Sequence, residues 1–290
     1  MVVTAVMARV DEPGARFLSR KLPKRIRGDL GDSKQMISHG NVDLGEAWAR
    51  ALGAPQSVNP NQLMSELFLE DEATLLSPCP KHAKAQCWTV SESGFRADPE
   101  LVERIFSHVE YLRSRGVDLC RVKCSIRCTR VLNDERARGG NRFVSDLHAM
   151  ERLTLWLREQ ARTDVVAICG KVGSMSDYSS FFGPLAGRLH ATMAQGKALS
   201  AYKFPGLGEL HFKRDADADD ALVMLASLVG KYVRELLMAR IARYYEPSEE
   251  HSPSGYHDPV TSAFVLRTER LRKNRRVPTR CFERDGPSSD

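Results

Sequence analysis

Four carboxylates crowd one short stretch of the chain: Asp215, Asp217, Asp219 and Asp220. Carboxylates at the end of a strand can hold Mg²⁺ against a phosphate, because a hard cation prefers oxygen and offsets the charge of both. The same residues have a structural use. Acidic side chains at a helix start accept hydrogen bonds from free backbone N–H groups and complement the helix dipole. The run is not an EF-hand loop. Counted from Asp215, the sixth position holds Asp220 where glycine is needed, and the twelfth holds Ala226 where Glu is needed.

A second group with ligand chemistry is Cys79, His82 and Cys87, in the spacing C-x2-H-x4-C. Thiolates and imidazoles bind zinc, but the spacing is not a standard zinc motif and no fourth ligand stands out. Cys120, Cys124 and Cys128 recur every four residues. Drawn on a strand, they share one face with Val122 and Ile126, which makes them small core residues. The seven cysteines are an odd count, which argues against a secreted disulfide framework. Reduced thiols in a cytoplasmic protein are expected.

The elements that must position these residues follow from the hydropathy pattern. Residues 2–10 read as a strand, 21–34 as a basic loop, 44–52 as a helix and 55–61 as a loop. Residues 79–98 are irregular. Leu101, Ile105, Val109 and Leu112 recur at helical spacing until Gly116 stops the helix. Strict alternation over 120–129 marks a half-buried strand. Residues 141–161 return to helical period, and 165–169 form a short buried strand. The Gly/Ser-rich stretch 170–208 is expected to hold one helix, near Leu185–Met193. Residues 209–213 form a strand leading into the acidic run. A long helix follows to about Tyr245, with Leu222, Leu225, Val229, Val233 and Leu236 as its stripe. After a loop over 247–259, residues 260–275 form a basic helix. Strands alternating with helices give an α/β class with a mixed sheet.

The chain of 290 residues is 42% apolar and 28% charged, which is a globular composition. No apolar run approaches the roughly 20 residues of a membrane helix, so no membrane partner is expected. The net charge of +6 permits an anionic partner, and basic residues cluster at 21–27 and 267–280. There is no P-loop, no G-x-S-x-G and no strand–GxGxxG–helix context, which argues against the corresponding nucleotide-binding and hydrolase sites.

Several motifs resemble type 2 ribonuclease H (ribonuclease HII). Asp217-Ala218, then Ala226-Ser227-Leu228-Val229-Gly230-Lys231, then Arg234-Glu235-Leu236-Leu237-Met238 is similar to the family pattern Asp-Ala, Ala-Ser-Ile-Val-Ala-Lys, Arg-Asp-Arg-Leu-Met. Ser254-Gly255-Tyr256 with Asp258, Pro259 and Thr261 resembles its Gly-Tyr-Pro-Ser-Asp-Pro-x-Thr loop. Gly31-Asp32-Ser33-Lys34 resembles its Asp-Ser-Lys motif. The helix from Asn141 with Ala149-Met150, and Ile168-Cys169-Gly170 at a strand end, follow in the matching order. Residues 55–94 and 172–208 have no counterpart and are expected to be insertions in a single ribonuclease H-like domain spanning 1–290.

The resemblance implies a ribonuclease H-like mixed sheet flanked by helices. It also implies binding of RNA–DNA hybrid or ribonucleotide-containing duplex, and phosphodiester hydrolysis by two Mg²⁺ or Mn²⁺ ions held by four carboxylates. By that resemblance Asp217 is the last metal carboxylate. Lys34 contacts a phosphate, and Ser33, Ser227 and Lys231 also belong to the nucleic-acid-binding set. Tyr256 stacks on the sugar at the RNA–DNA junction. The third carboxylate falls at Cys169, a poor ligand for Mg²⁺. The family's Asp-Glu and glycine-arginine-glycine turn would lie upstream of Met1 or be absent, so two metal carboxylates have no counterpart here. Little or no cleavage is therefore expected. The alternatives are a non-catalytic nucleic-acid-binding module on the same fold, or a structural or regulatory protein with zinc at Cys79, His82 and Cys87.

Overall fold

Valines recur through the first strand, β1 (Val2–Val10), and favour its pleated backbone. In the computed structural model, which describes residues 1–90, 94–173, 175–247, 253–255 and 258–285, β1 pairs antiparallel with β2 (Val117–Ile126). The register runs from Val2 opposite Ile126 to Val10 opposite Val117, with a bulge between Met7 and Ala8. Between the two strands lie α1 (Glu12–Leu18), α2 (Lys24–Arg27), α3 (Ser33–Met36), α4 (Asp43–Gly53), α5 (Pro60–Leu67), α6 (Glu72–Leu76) and α7 (Pro99–Ser114). The basic loop expected over 21–34 thus contains one single-turn helix and the start of a second.

The stretch 55–94 is irregular only in its later part. Its first part forms α5 and α6, because Asn59 caps α5 with Pro60 in the first turn, and Leu63, Met64 and Leu67 find buried places. β2 ends at Ile126, so Cys128 does not share a strand face with Cys120 and Cys124. It is the N-cap residue of α8 (Thr129–Ala137), its carbonyl accepting from the Leu132 N–H. The inside–outside alternation also fails at Ser125, which is fully buried because Glu70 accepts from its hydroxyl at 2.6 Å.

A mixed second sheet begins after α9 (Arg142–Ala161), a helix capped by Asn141 and ended by Arg162 in left-handed backbone. β3 (Val165–Gly170) runs parallel to β6 (Gly208–Lys213). β5 (Leu199–Phe204) is antiparallel to β6, and β4 (Ala191–Gln195) is antiparallel to β5. The helix expected near Leu185–Met193 is absent. Leu185 is fully buried, but Leu189 and Met193 are 80% and 52% exposed, so the three do not share a buried stripe. Residues 172–208 instead supply two of the sheet's four strands. Turns at Gly187 and Gly206, both at positive φ, cut this stretch into short extended pieces.

Ser200, Tyr202, Phe204, Leu210 and Phe212 face inward from this sheet onto Leu147, Tyr178 and Leu185, with the Tyr178 and Phe212 rings stacked at 3.9 Å. A larger core joins β1, β2, α4, α5, α7 and the long helix α11 (Ala221–Tyr245). The one-turn α10 (Ala216–Asp219) precedes α11, and α12 (Pro259–Asn274) packs Phe264 against the end of α11 at Tyr245. α9 and α11 each touch both β1 and β3, so these two helices carry both sheets. Among the described residues no helix is long and apolar enough to cross a membrane.

Candidate functional site

α11 begins where the sheet ends, and one of its ridges gathers the residues singled out by sequence. Asp220 caps it by accepting from the Leu222 and Val223 N–H groups at 2.9 and 3.1 Å. Ser227, Lys231, Arg234 and Met238 then recur at steps of four, three and four, which places them on one helix face. The Ser227 hydroxyl shares a 2.8 Å hydrogen bond with Ser33 on α3. Lys231 donates from Nζ to the carbonyl of Ser33 at 3.0 Å and to that of Ile37. Burial holds the Lys231 ammonium below its ordinary pKa. Lys231 and Ser33 therefore fasten α3 to α11 rather than face solvent.

Lys34 is the neighbour that does face solvent. Asp32 caps α3 and accepts from the Lys34 N–H at 2.9 Å, while the Lys34 side chain stays 77% exposed. Its Nζ lies 3.4 Å from Asp217 Oδ2, and that carboxylate raises the lysine's pKa. Asp217 rides on α10, which starts from Asp215 at φ 56, a left-handed backbone that Asp tolerates better than most residues. Each acid of the run has its own partner. Asp215 pairs with Arg214 at 3.5 Å, Asp217 with Lys34, and Asp219 with Lys213 at 3.3 Å, while Asp220 caps α11.

Farther along the ridge, Arg234 donates to the carbonyl of Ser254. Gly255, at φ 74, sits over Met238, and a Cβ there would fall 2.9 Å from the Met238 sulfur. Asp258 locks the same loop. Hydrogen bonds from the Ser254 hydroxyl and the Thr261 N–H hold its carboxyl at about 2, and it caps α12. Tyr256 lies outside the described residues; its neighbours Gly255 and Asp258 are anchored on α11 and α12 respectively.

Cys169 stands opposite Phe212 on β3, and its thiol packs against the inner face of the second sheet. Burial pushes it up to about 12, so it is a neutral thiol at physiological pH. Of the zinc residues suggested by sequence, His82 is exposed, while Cys79 and Cys87 are half-buried. Among the described residues, no three His, Cys, Asp or Glu side chains stand close enough to share a metal ion.

Four residues that sequence reasoning missed also shape this region. Lys213 and Arg214 take two of the four acids, and their place directly before Asp215 was a readable signal. His39 meets Glu235 at 2.7 Å, a contact that joins positions 196 residues apart, which helical spacing alone cannot show. Comparison with family models, with curated proteins and with solved structures found no match to this chain.

Proposed function

We propose that this chain binds RNA–DNA hybrid or ribonucleotide-containing duplex on a ribonuclease HII-like scaffold, with Lys34 on a backbone phosphate and the 254–258 loop beside the sugar. One observation carries the reading. The ridge Ser227–Lys231–Arg234–Met238 collects three separate motifs, around Lys34, Asp217 and Gly255, onto one side of one helix. Nothing in local sequence requires that convergence. A shared surface for one extended polyanion supplies a reason for it, since backbone contacts from several elements fix a duplex in place.

The residues present do not fit the two-metal set that hydrolysis in that family requires. Asp217 is paired with a lysine, and the position of the third carboxylate holds Cys169, a neutral thiol packed against the second sheet. No metal-dependent step is therefore assigned to this chain, and binding without efficient cleavage is the expected behaviour.

Fluorescence anisotropy with labelled hybrid, DNA duplex and singly ribonucleotide-substituted duplex, each at rising salt, tests the proposal. Hybrid or substituted duplex should bind more tightly than plain DNA, and Lys34→Ala should lower the slope of log K against log salt by about 0.9, the loss of one phosphate contact. Equal affinity for all three duplexes, with an unchanged slope in the variant, would sink it. Cleavage of hybrid in Mn²⁺ that Asp217→Asn abolishes would overturn the non-cutting half.

A further inference from the structure

Arginines gather around one cavity with too few acids to match them. The cavity lies where the end of β2 meets α6, α8, α9, α11 and the segment after α12. It encloses about 400 Å³, within the range of small-molecule sites. Arg127, Arg142, Arg234 and Arg284 line it, against two carboxylates, Glu70 and Asp146. Both acids already have partners. Glu70 accepts from the Ser125 hydroxyl at 2.6 Å and from the Ile126 N–H at 3.1 Å, and Asp146 stands 3.5 Å from Arg142. Arg234 is turned to Glu235 and to the Ser254 carbonyl. That leaves the guanidinium groups of Arg127 and Arg284 without an ion pair among the described residues.

Arg127 is the sharper case. Its backbone is fixed just past β2, its N–H donating to the Met1 carbonyl at 2.9 Å. Its Nε is buried and has no hydrogen-bond partner. Arg152 of α9 repeats the pattern, with Nε and Nη2 buried and unbonded. Burial and the neighbouring Arg127 charge both lower the Arg152 pKa. Nearby acids do not relieve the pair. Glu135 accepts from the Ser145 hydroxyl, and Glu151 from the Gly183 and Leu185 N–H groups. Neighbouring cations with buried, unsatisfied donors destabilise a fold unless an anion meets them. Arg284 is held in place by α8. Asn133, buried on that helix, donates to the Glu283 carbonyl at 2.8 Å and accepts from the Asp285 N–H at 3.0 Å, so the residue between them is fixed at the cavity. Much of the remaining wall is apolar, with Leu75, Trp88, Val131, Leu132, Leu237 and Ile241.

We propose that this cavity binds a small phosphate ester, its phosphate on Arg127 and Arg284 and its organic group against the apolar wall. A guanidinium offers a phosphate two N–H donors at once, and a dianion matches the charge of two unpaired arginines where a carboxylate matches one. The apolar wall favours an ester over inorganic phosphate, because it takes the organic group out of water. The phosphate oxygens supply the acceptor that Arg127 lacks in the protein itself. The proposal goes beyond the duplex reading. The cavity borders the α11 ridge through Arg234 and Met238, but Arg127 and Arg284 have no place in the surface assigned to the duplex.

Calorimetric titration of the full chain with phenyl phosphate, inorganic phosphate and phenol tests it. Phenyl phosphate should bind at least tenfold more tightly than inorganic phosphate, and phenol should not bind. Arg127→Met and Arg284→Gln should each weaken phenyl phosphate at least tenfold. Arg188→Gln, exposed and outside the cavity, should leave the affinity unchanged. Thermal unfolding adds a readout separate from affinity. Arg127→Met keeps the apolar stem and removes an unpaired charge, so it should raise the unfolding midpoint of the ligand-free chain. Phenyl phosphate should then stabilise the unaltered chain more than the variant. No binding of phenyl phosphate would overturn the proposal, and if Arg127→Met then weakened hybrid duplex, the arginine would belong to the duplex surface instead. Binding that survives both variants, or a ligand-free Arg127→Met chain less stable than the unaltered one, would also overturn it. Arg284→Gln changes an exposed position, so its affinity arm is decisive whatever Arg127→Met does to folding.

Discussion

At the scale of single residues, a carboxylate's neighbours decide what it does. Glu46 on α4 is nearly fully buried, yet it accepts from the backbone N–H groups of Arg96 and Ala97 at 2.9 and 2.8 Å, pinning the chain just before α7. Burial raises its pKa above the usual 4.5 despite those bonds. The folded state therefore binds this proton more tightly than the unfolded one. Glu46 favours folding most below pH 4.5, and that contribution is lost as pH climbs through the folded-state value. Glu46→Gln should flatten the fall in stability over this window in urea titrations at stepped pH. Glu46→Ala should cost about 1–3 kcal/mol at every pH, because it strands buried donors. An unchanged pH slope in Glu46→Gln would refute the assignment. The acidic run shows how far such roles were legible. That Asp220 would cap a helix could be read from its place before an apolar stripe. The pairing of Asp217 with Lys34 could not, since 183 residues separate them.

At the scale of elements, α11 is the helix on which the others are assembled, and its small residues set how closely they approach. A Cβ on Gly230 would lie 2.6 Å from Thr4 Oγ1 of β1, and a Cβ on Gly45 of α4 would lie 2.8 Å from Tyr232 of α11. Gly230→Ala gains about 1 kcal/mol in helix propensity, but the overlap with Thr4 costs about 1–3 kcal/mol. The net effect should be a loss. In a Thr4→Ala background the clash is gone and the same change should stabilise. Thermal unfolding of the four proteins in this cycle checks the sign reversal, and destabilisation in both backgrounds would refute it. The long elements, α7, α9, α11 and α12, were legible because several turns repeat one apolar period. β4 and β5 were not. Each is only five or six residues long, and Leu185, Leu189 and Met193 imitate a helical stripe although only the first is buried. The α11 ridge was half legible: its spacing could be read from sequence, but its partners could not.

At the scale of the whole molecule, two sheets share α9 and α11 and, among the described residues, do not pair with each other; β4 is an outermost strand of the second sheet. Both carry an irregularity in their outermost ladder, between Met7 and Ala8 in β1 and between Thr192 and Ala194 in β4. An unpaired strand is a template on which another copy can stack, and a bulge twists that template out of shape. β4 most needs such protection, because Met193 at the bulge and nearby Leu189 are largely exposed. The irregularity therefore governs how the protein behaves when crowded. Deleting Met193 should straighten the edge and turn a clear concentrated solution into one that scatters light and binds thioflavin over days. A deletion variant that stays monodisperse under those conditions would show that the bulge guards nothing.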